Sequence, residues 1–489
     1  MTLVALRGRS KSHGGVWLLA GLVATTVGAG VAAMGILPPF AVVAALLAVG
    51  GAAAILLDAR WGLVAITAFV VLRLSDVATD FHGAPPMFAA LVGLVLVAVL
   101  LRGRLTGDWP VGGARAIVVV AAFATVALVS LLAAGDSGDG IAAMSTLIED
   151  GSVAVLAGML LRRSDSLHTV SWVLVAGGAL LASISVLQFA IGAFGSAFGG
   201  FAQSAVQNIY ETTDDVRISG PIGDPNFYAQ LLVMVIPFAY DRMREEASRV
   251  RQVVAGYAVA VCGVTVVLTF SRGGLLALGV VIAIMVVRHP PRPSTMAIAA
   301  LAVIAAIPLM PSGYVERLTS LGDVGEIEAG IDPSIRGRTA EMGAAWAMFW
   351  DRPLTGIGFG NFARVYPGYA EGLGIDVRDA PREAHNLYLE TAAETGLPGL
   401  AILAGVFAAA FSALVAGRRR FRAMADLRSD GIGFAVAVAL VGYLVTSVFL
   451  HMAFARPVWL LIGMALAFPS TAASEDRIRD GAVEEVSWR

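Results

Sequence analysis

The chain has 489 residues, 57% of them hydrophobic and only 14% charged, with a formal net charge of −2. Soluble globular domains carry about 25% charged residues, so a mean hydropathy of +0.79 excludes a single water-soluble core, and the near-neutral balance gives no footing for nucleic acid. Apolar runs of about 20 residues, the length that crosses a hydrocarbon layer at 1.5 Å per residue, predict an all-α, polytopic integral membrane protein of about 12–14 transmembrane helices, with membrane lipids around it.

Residues 1–14, with Arg7, Arg9 and Lys11, read as a cytoplasmic N-terminus. The apolar stretch behind them is longer than a signal-peptide core and reads as a retained first helix. N-terminal transmembrane helices fill 15–192, with candidate spans at 15–36, 39–57, 61–75, 85–101, 115–133, 142–161 and 169–192. Central helices fill 193–311, at 223–240, 253–270, 273–288 and 295–311. Residues 312–396 are polar enough to form one large extracytoplasmic loop containing short helices. Spans at 397–416, 431–450 and 456–469 complete the C-terminal region, 397–469, and the polar tail 470–489 is expected to be cytoplasmic and disordered. With this assignment the inside segments before the tail hold 20 Arg and Lys residues, against four (Arg73, Arg217, Arg272, Arg456) in the short outside connections. That is the bias that orients membrane helices. The one cysteine, Cys262, lies within an apolar run and reads as a small packed side chain.

Within the loop, Arg338, Met342, Ala345, Trp346 and Phe349 recur at spacings of three and four, which predicts a helix of about fourteen residues ended by Pro353. Gly356, Gly358 and Gly360 follow. A Gly-x-Gly-x-Gly run can cradle phosphate after a strand; no strand is expected here, and a tight turn under the helix is the plainer reading. A second helix is expected from about 381–383 to Gly396, with Pro398 beyond it, which places His385 in the first turn.

Four polar positions stand out. Asp224 before Pro225 suits a helix start, an acceptor at the cap and a proline at the first helical position. Arg217, seven residues upstream, has no such structural role. Arg272, in TFSRGG between two spans, either snorkels to the surface or faces a polar cavity and binds an anion, since guanidinium matches phosphate oxygens as a planar fork. His385, one of three histidines assigned outside with His82 and His451, is either an inert loop residue or a group able to take a proton from a hydroxyl at neutral pH.

The run HNLYLETAAETG resembles the signature of the O-antigen ligase/polymerase superfamily through His385, Asn386, Leu389 and Gly396. RTAEMGAAWAMFWDRPLTGIGFGNF is similar to the stretch that precedes that signature, and SRGG and RISGPIGDPN stand in the expected order, so the resemblance covers about residues 200–460. It implies an enzyme that moves a saccharide from a polyprenyl-diphosphate carrier to a glycan or lipid acceptor on the outer face of the cell membrane, in polysaccharide biosynthesis. It implies no metal or other cofactor. It implies His385 as the base and Arg217 with Arg272 as the diphosphate-holding pair. Asn386, Glu383, Arg338 and Arg382 are candidate supporting residues, with Arg336, Arg378 and Glu390 as further charges near the site. A lipid or polysaccharide flippase or carrier is the competing class; such proteins keep ionisable groups at mid-membrane and often show two related halves, whereas the candidate groups here cluster at the outer edge and no repeat is visible.

Overall fold

The computed structural model describes residues 39–107, 111–135, 138–210, 213–290, 333–374, 382–451 and 456–487. The expected N-terminus 1–14, the spans 15–36 and 295–311, and Arg378 lie outside them, as does the side chain of Arg336. The helices are α1 (Pro39–Leu57), α2 (Arg60–Leu72), α3 (Leu74–His82), α4 (Phe88–Thr106), α5 (Ala114–Ala134), α6 (Gly140–Leu160), α7 (Ser164–Ala190), α8 (Pro225–Glu245), α9 (Arg249–Leu268), α10 (Arg272–Arg288), α11 (Pro333–Asp351), α12 (Phe362–Gly372), α13 (Leu387–Ala423), α14 (Leu427–Thr446) and α15 (Arg456–Ser487). Among the described residues, eight of these are long and apolar enough to cross a membrane, or nine if α2 and α3, bent by 55°, form one broken span. The protein is an all-α multi-pass membrane protein.

Two compact units form, residues 1–62 with 93–109 and residues 63–92 with 110–489. In the first, Asp58 pairs with Arg60 at 2.6 Å and lies 3.6 Å from Arg102. The second holds every candidate site residue. At its centre stands α8, in which every residue from Tyr228 to Ala239 is buried. A helix apolar on all sides belongs in the middle of a bundle, and α7, α9, α10 and α14 pack around it.

The structure differs from the sequence reading in three places. First, β1 (Gln203–Tyr210) pairs antiparallel with β2 (Thr213–Gly220), with Ala205 facing Arg217. Their mixed polar sequence carries no period-two apolar pattern, so nothing marked them as strands. Second, the tail is not disordered: α15 runs through Pro469 to Ser487. Docking overrides the proline, because Thr471 Oγ1 donates to the Leu161 carbonyl and Glu475 accepts from both the amide and the hydroxyl of Ser164. Third, the buried face of α11 is rotated rather than absent: Glu341, Ala344, Ala345, Met348 and Phe349 are buried, so Ala345 and Phe349 of the expected stripe face inward, while Trp346 is 53% exposed.

Between α11 and α13 a small core of Ala344, Ala345, Met348, Ile357, Phe362, Tyr366, Ala384 and Ala393 forms. The glycine run serves close backbone approach here. The amides of Ile357 and Gly358 donate to the carbonyls of Ala393 and Glu394, at 2.9 and 3.1 Å. Gly356 has φ +68, and a Cβ on it would come within 2.1 Å of the Glu394 oxygen. The expected stop at Gly396 is real as a break: α13 is interrupted there at φ 67, ψ −165, and Leu397 NH caps back on the Pro353 carbonyl at 2.8 Å.

Candidate active site

Asp224 caps α8, accepting from the amides of Asn226 and Phe227 at 2.7 and 3.1 Å. That turn is the floor of the site. Arg217, on β2 and only 5% exposed, reaches it: Nε donates to the Thr269 carbonyl at 2.9 Å and Nη2 to Asn226 Oδ1 at 3.2 Å. The expectation that Arg217 lacks structural partners is therefore corrected. Thr269 is three residues before Arg272, the first residue of α10, whose helix is capped by Ser271 Oγ accepting from Gly274 NH at 3.2 Å. The half-buried Arg272 and Arg217 thus flank one junction. Next to Arg272, Gly273 lies so near Phe449 that a Cβ would come within 2.9 Å of that ring. Two residues beyond Phe449 stands His451, whose ring is 5.2 Å from Phe227 and 5.3 Å from His385. The segments carrying Arg217, Arg272 and His385 converge on the N-terminal turn of α8.

His385 itself is not in a helical first turn. It precedes the cap of α13, with φ +45, a left-handed conformation that costs a residue with a Cβ energy and that proteins retain chiefly at functional sites. Its neighbours hold it there. Asn386 Oδ1 caps α13 by accepting from Tyr388 and Leu389 amides, both at 3.0 Å. Leu387 NH donates to the Ser447 carbonyl at 3.0 Å, and Glu390 accepts from Ala384 NH at 3.1 Å. Asn386 and Glu390 therefore build the turn and do not touch the imidazole in any bond seen here.

The group that does face the imidazole is one the sequence reading missed. Glu341, 3% exposed on α11, places one carboxylate oxygen 3.7 Å from His385 Nε2 and the other 3.7 Å from Arg382 Nη1. The only sequence signal for it is an acid inside an otherwise apolar helical face. Burial first, then the positive charge of Arg338, pushes His385 down to about 4; Asp224 pulls the other way and Arg382 adds a smaller lowering. Burial also pushes His451 down, to about 3, with His385 adding to it. Both rings are thus neutral at physiological pH. Burial and the Glu341 charge raise Glu383 to about 7. The Nδ1 atoms of His385 and His451 and the Nε of Arg382 are buried and have no hydrogen-bond partner among the described residues. Buried polar atoms are satisfied in most proteins, and exceptions concentrate where chemistry is done. Chemically, the arrangement offers a neutral imidazole with a free acceptor nitrogen beside a cation-lined junction. Among the described residues, no group of three or more His, Cys, Asp or Glu is placed to hold a metal ion.

Residues 257–404 match the family model described as O-antigen ligase. This segment is O-antigen ligase-like. It includes Arg272, Arg338, Glu341, Arg382, Glu383, His385 and Asn386, and it ends short of His451 and begins after Arg217. No curated protein matches the chain. The ligase-like segment and the membrane-crossing helices together support a membrane ligase or polymerase in polysaccharide biosynthesis.

Proposed function

We propose that the protein transfers a saccharide from a polyprenyl-diphosphate carrier to a hydroxyl of a glycan or lipid acceptor, at the outer face of the cell membrane. The observation that carries this reading is His385: neutral, strained, with Nε2 turned to a buried carboxylate and Nδ1 unpartnered. The Glu341 carboxylate favours the proton on Nε2, which leaves the Nδ1 lone pair to accept the acceptor's hydroxyl proton. The acceptor oxygen then bonds to the anomeric carbon as the bond from that carbon to the diphosphate oxygen breaks. Arg217 and Arg272 stabilise the departing diphosphate where its charge grows, which lowers the barrier more than uniform binding would. Attack opposite the leaving diphosphate inverts the anomeric centre. Burial, aided by Arg338, keeps the imidazole neutral. Glu383, raised to about 7, is only partly ionised near neutral pH, which limits the negative charge beside it. In this scheme no step calls on a metal.

The test uses a defined lipid-linked oligosaccharide and the full chain in proteoliposomes. His385→Ala is expected to insert normally and to lose product; undiminished ligated or polymerised glycan in that variant sinks the reading, and is the result a flippase or carrier would give. Arg272→Lys is expected to lower turnover, because an ammonium cannot supply the bidentate fork.

A further inference from the structure

The second unit also holds a cavity of about 210 Å³ that the transfer chemistry above does not occupy. It lies between the α2–α3 break, α6, α8 and the first turn of α15, and its polar wall is Arg73, Asp76, Asp150 and Arg456. Those groups are tied together. Arg456 lies 3.1 Å from Asp76, 3.0 Å from Asp150 and 3.2 Å from Glu149, and Arg73 lies 2.7 Å from Asp76. Three carboxylates thus meet two guanidinium groups, and the guanidinium edges are already engaged. A diphosphate would have to displace carboxylates from guanidinium groups already engaged, and a wall of two guanidinium groups and two carboxylates offers it no net positive charge, so this is not a second anion site. A ligand that is neutral, and that both donates and accepts hydrogen bonds over a short span, suits such a wall: hydroxyls donate to the carboxylates and accept from the remaining N–H groups. The opposite walls are apolar, with the rings of Phe69 and Phe227, surfaces on which the C–H face of a sugar ring packs. The volume admits a ligand the size of a sugar ring.

Phe227 also fixes the cavity's position relative to the imidazole. It lines the cavity, and its ring stands 5.2 Å from His451, which stands 5.3 Å from His385. Gln230, one turn further along α8, lines the cavity as well and donates to Thr446 Oγ1 at 2.7 Å, in the segment whose Ser447 carbonyl holds the residue after Asn386.

We infer that this cavity is a subsite for a single neutral pyranose ring, separated from the His385 centre by Phe227. The inference rests on the glycosyl-transfer reading and assigns a sugar position within it. The ring belongs either to the acceptor or to the donor chain, and the two are separable. The probe is methyl α-D-glucopyranoside, methyl α-D-mannopyranoside and methyl β-D-galactopyranoside, each tested by saturation-transfer NMR with the full chain in lipid nanodiscs. At least one glycoside is expected to receive saturation on its ring C–H protons, equally from the unaltered chain and from His385→Ala, and inorganic pyrophosphate should not displace it. Thr146→Phe, which fills the cavity from α6, should abolish the signal. Phe69→Ala should weaken binding roughly three- to tenfold, the size of one lost aromatic contact. In the transfer assay, a rise of KM in Phe69→Ala for the acceptor alone assigns the ring to the acceptor, and for the donor alone to the donor. No saturation of any of the three, displacement by pyrophosphate, or binding unaffected by both substitutions overturns the subsite. Sugar binding with an active His385→Ala instead overturns the transfer reading and leaves the subsite standing.

Discussion

The two ends of α8 carry clusters of the same residue types and use them differently. The helix has 21 residues, so its two ends stand roughly 31 Å apart. At the C-terminal end Arg242, with no exposed surface, donates through Nε and Nη2 to Asp241 at 3.2 and 2.6 Å, and its Nη1 bonds His168 Nδ1 at 2.7 Å and Glu246 at 3.2 Å. Glu246 accepts further from Trp172 at 2.9 Å and Arg428 at 3.3 Å. At the N-terminal end His385, Glu341 and Arg382 stand at 3.7 Å separations, and the two imidazole Nδ1 atoms have no hydrogen-bond partner among the described residues. Arginine, histidine and carboxylate are found at both ends. Completeness of hydrogen bonding is what separates a clamp from a site awaiting a substrate.

That contrast breaks most sharply under paired alanine substitutions. Arg242→Ala leaves Asp241 buried without its cation and strips Glu246 of its one fully buried partner, leaving it the more exposed Arg428 and Arg251, a loss of about 3–5 kcal/mol. Its expected signature is a collapse of the unfolding transition in detergent and of the yield of inserted protein. His385→Ala should leave that transition in place and lower product by about 10²–10⁴-fold, the worth of a general base. Equal loss of folding in both variants would erase the distinction between the two ends.

Glu341→Gln sharpens it at a smaller scale. The 3.7 Å spacing from the imidazole is long, but catalytic contacts tighten when substrate binds. Losing a charged partner then lowers transfer by roughly 10–100-fold, the range for a hydrogen bond to a charged group. Glu383 is raised to about 7 by burial and by Glu341, so its protonated form contributes stability that is complete below the ordinary carboxyl range and is lost as pH rises through about 7. In Glu341→Gln that loss should occur at lower pH, read from unfolding transitions measured between pH 5 and 8.

His385 carries the opposite sign. Its folded value of about 4 lies below the ordinary 6.5, so the stabilisation it brings is complete above pH 6.5 and is lost as pH falls through about 4. Transfer should persist at pH 5.5, where an unshifted imidazole would be mostly protonated. Removing the lowering charge in Arg338→Gln should move the acid limb of the pH–rate profile upward. An acid limb near 6.5 in the unaltered chain would refute the buried, cation-flanked setting.

The sequence carried the frame of this fold, because membrane spans are long apolar runs and the cost of burying charge in lipid leaves little freedom. Asp224 before Pro225 was legible as a cap, and Gly396 as a break, since both follow from local backbone chemistry. Glu341 was not. It lies 44 residues before His385, and an acid on a loop helix is a solvated charge until tertiary packing turns it inward. The strain at His385 was also invisible, because the helix there begins later than its composition suggests, at the Asn386 cap. Arg217 was singled out, but it sits on a hairpin without strand periodicity, and its partners are Asn226 on α8 and a carbonyl 52 residues away.

The gentlest test concerns the tail, where sequence reading and structure disagree most. Helix α7 begins after Arg163, which offers its first turn no side-chain cap. Glu475 supplies one from α15, accepting from Ser164 NH at 2.8 Å and Ser164 Oγ at 2.9 Å. A helix N-terminus leaves amide groups unsatisfied and favours negative charge, so this carboxylate does for α7 what a local aspartate would do. Glu475→Ala should cost about 0.5–2 kcal/mol, the range for a lost N-cap. Glu475→Gln keeps the acceptor and forfeits only the dipole part, about 0.3–1 kcal/mol. Both changes should be measurable as shifts in the unfolding midpoint, and neither should alter transfer at His385, since Glu475 serves the capping of α7 alone. If Glu475→Ala left the midpoint unmoved, the polar tail would contribute nothing to the bundle, and its helix would be a consequence of α15 running on past Pro469.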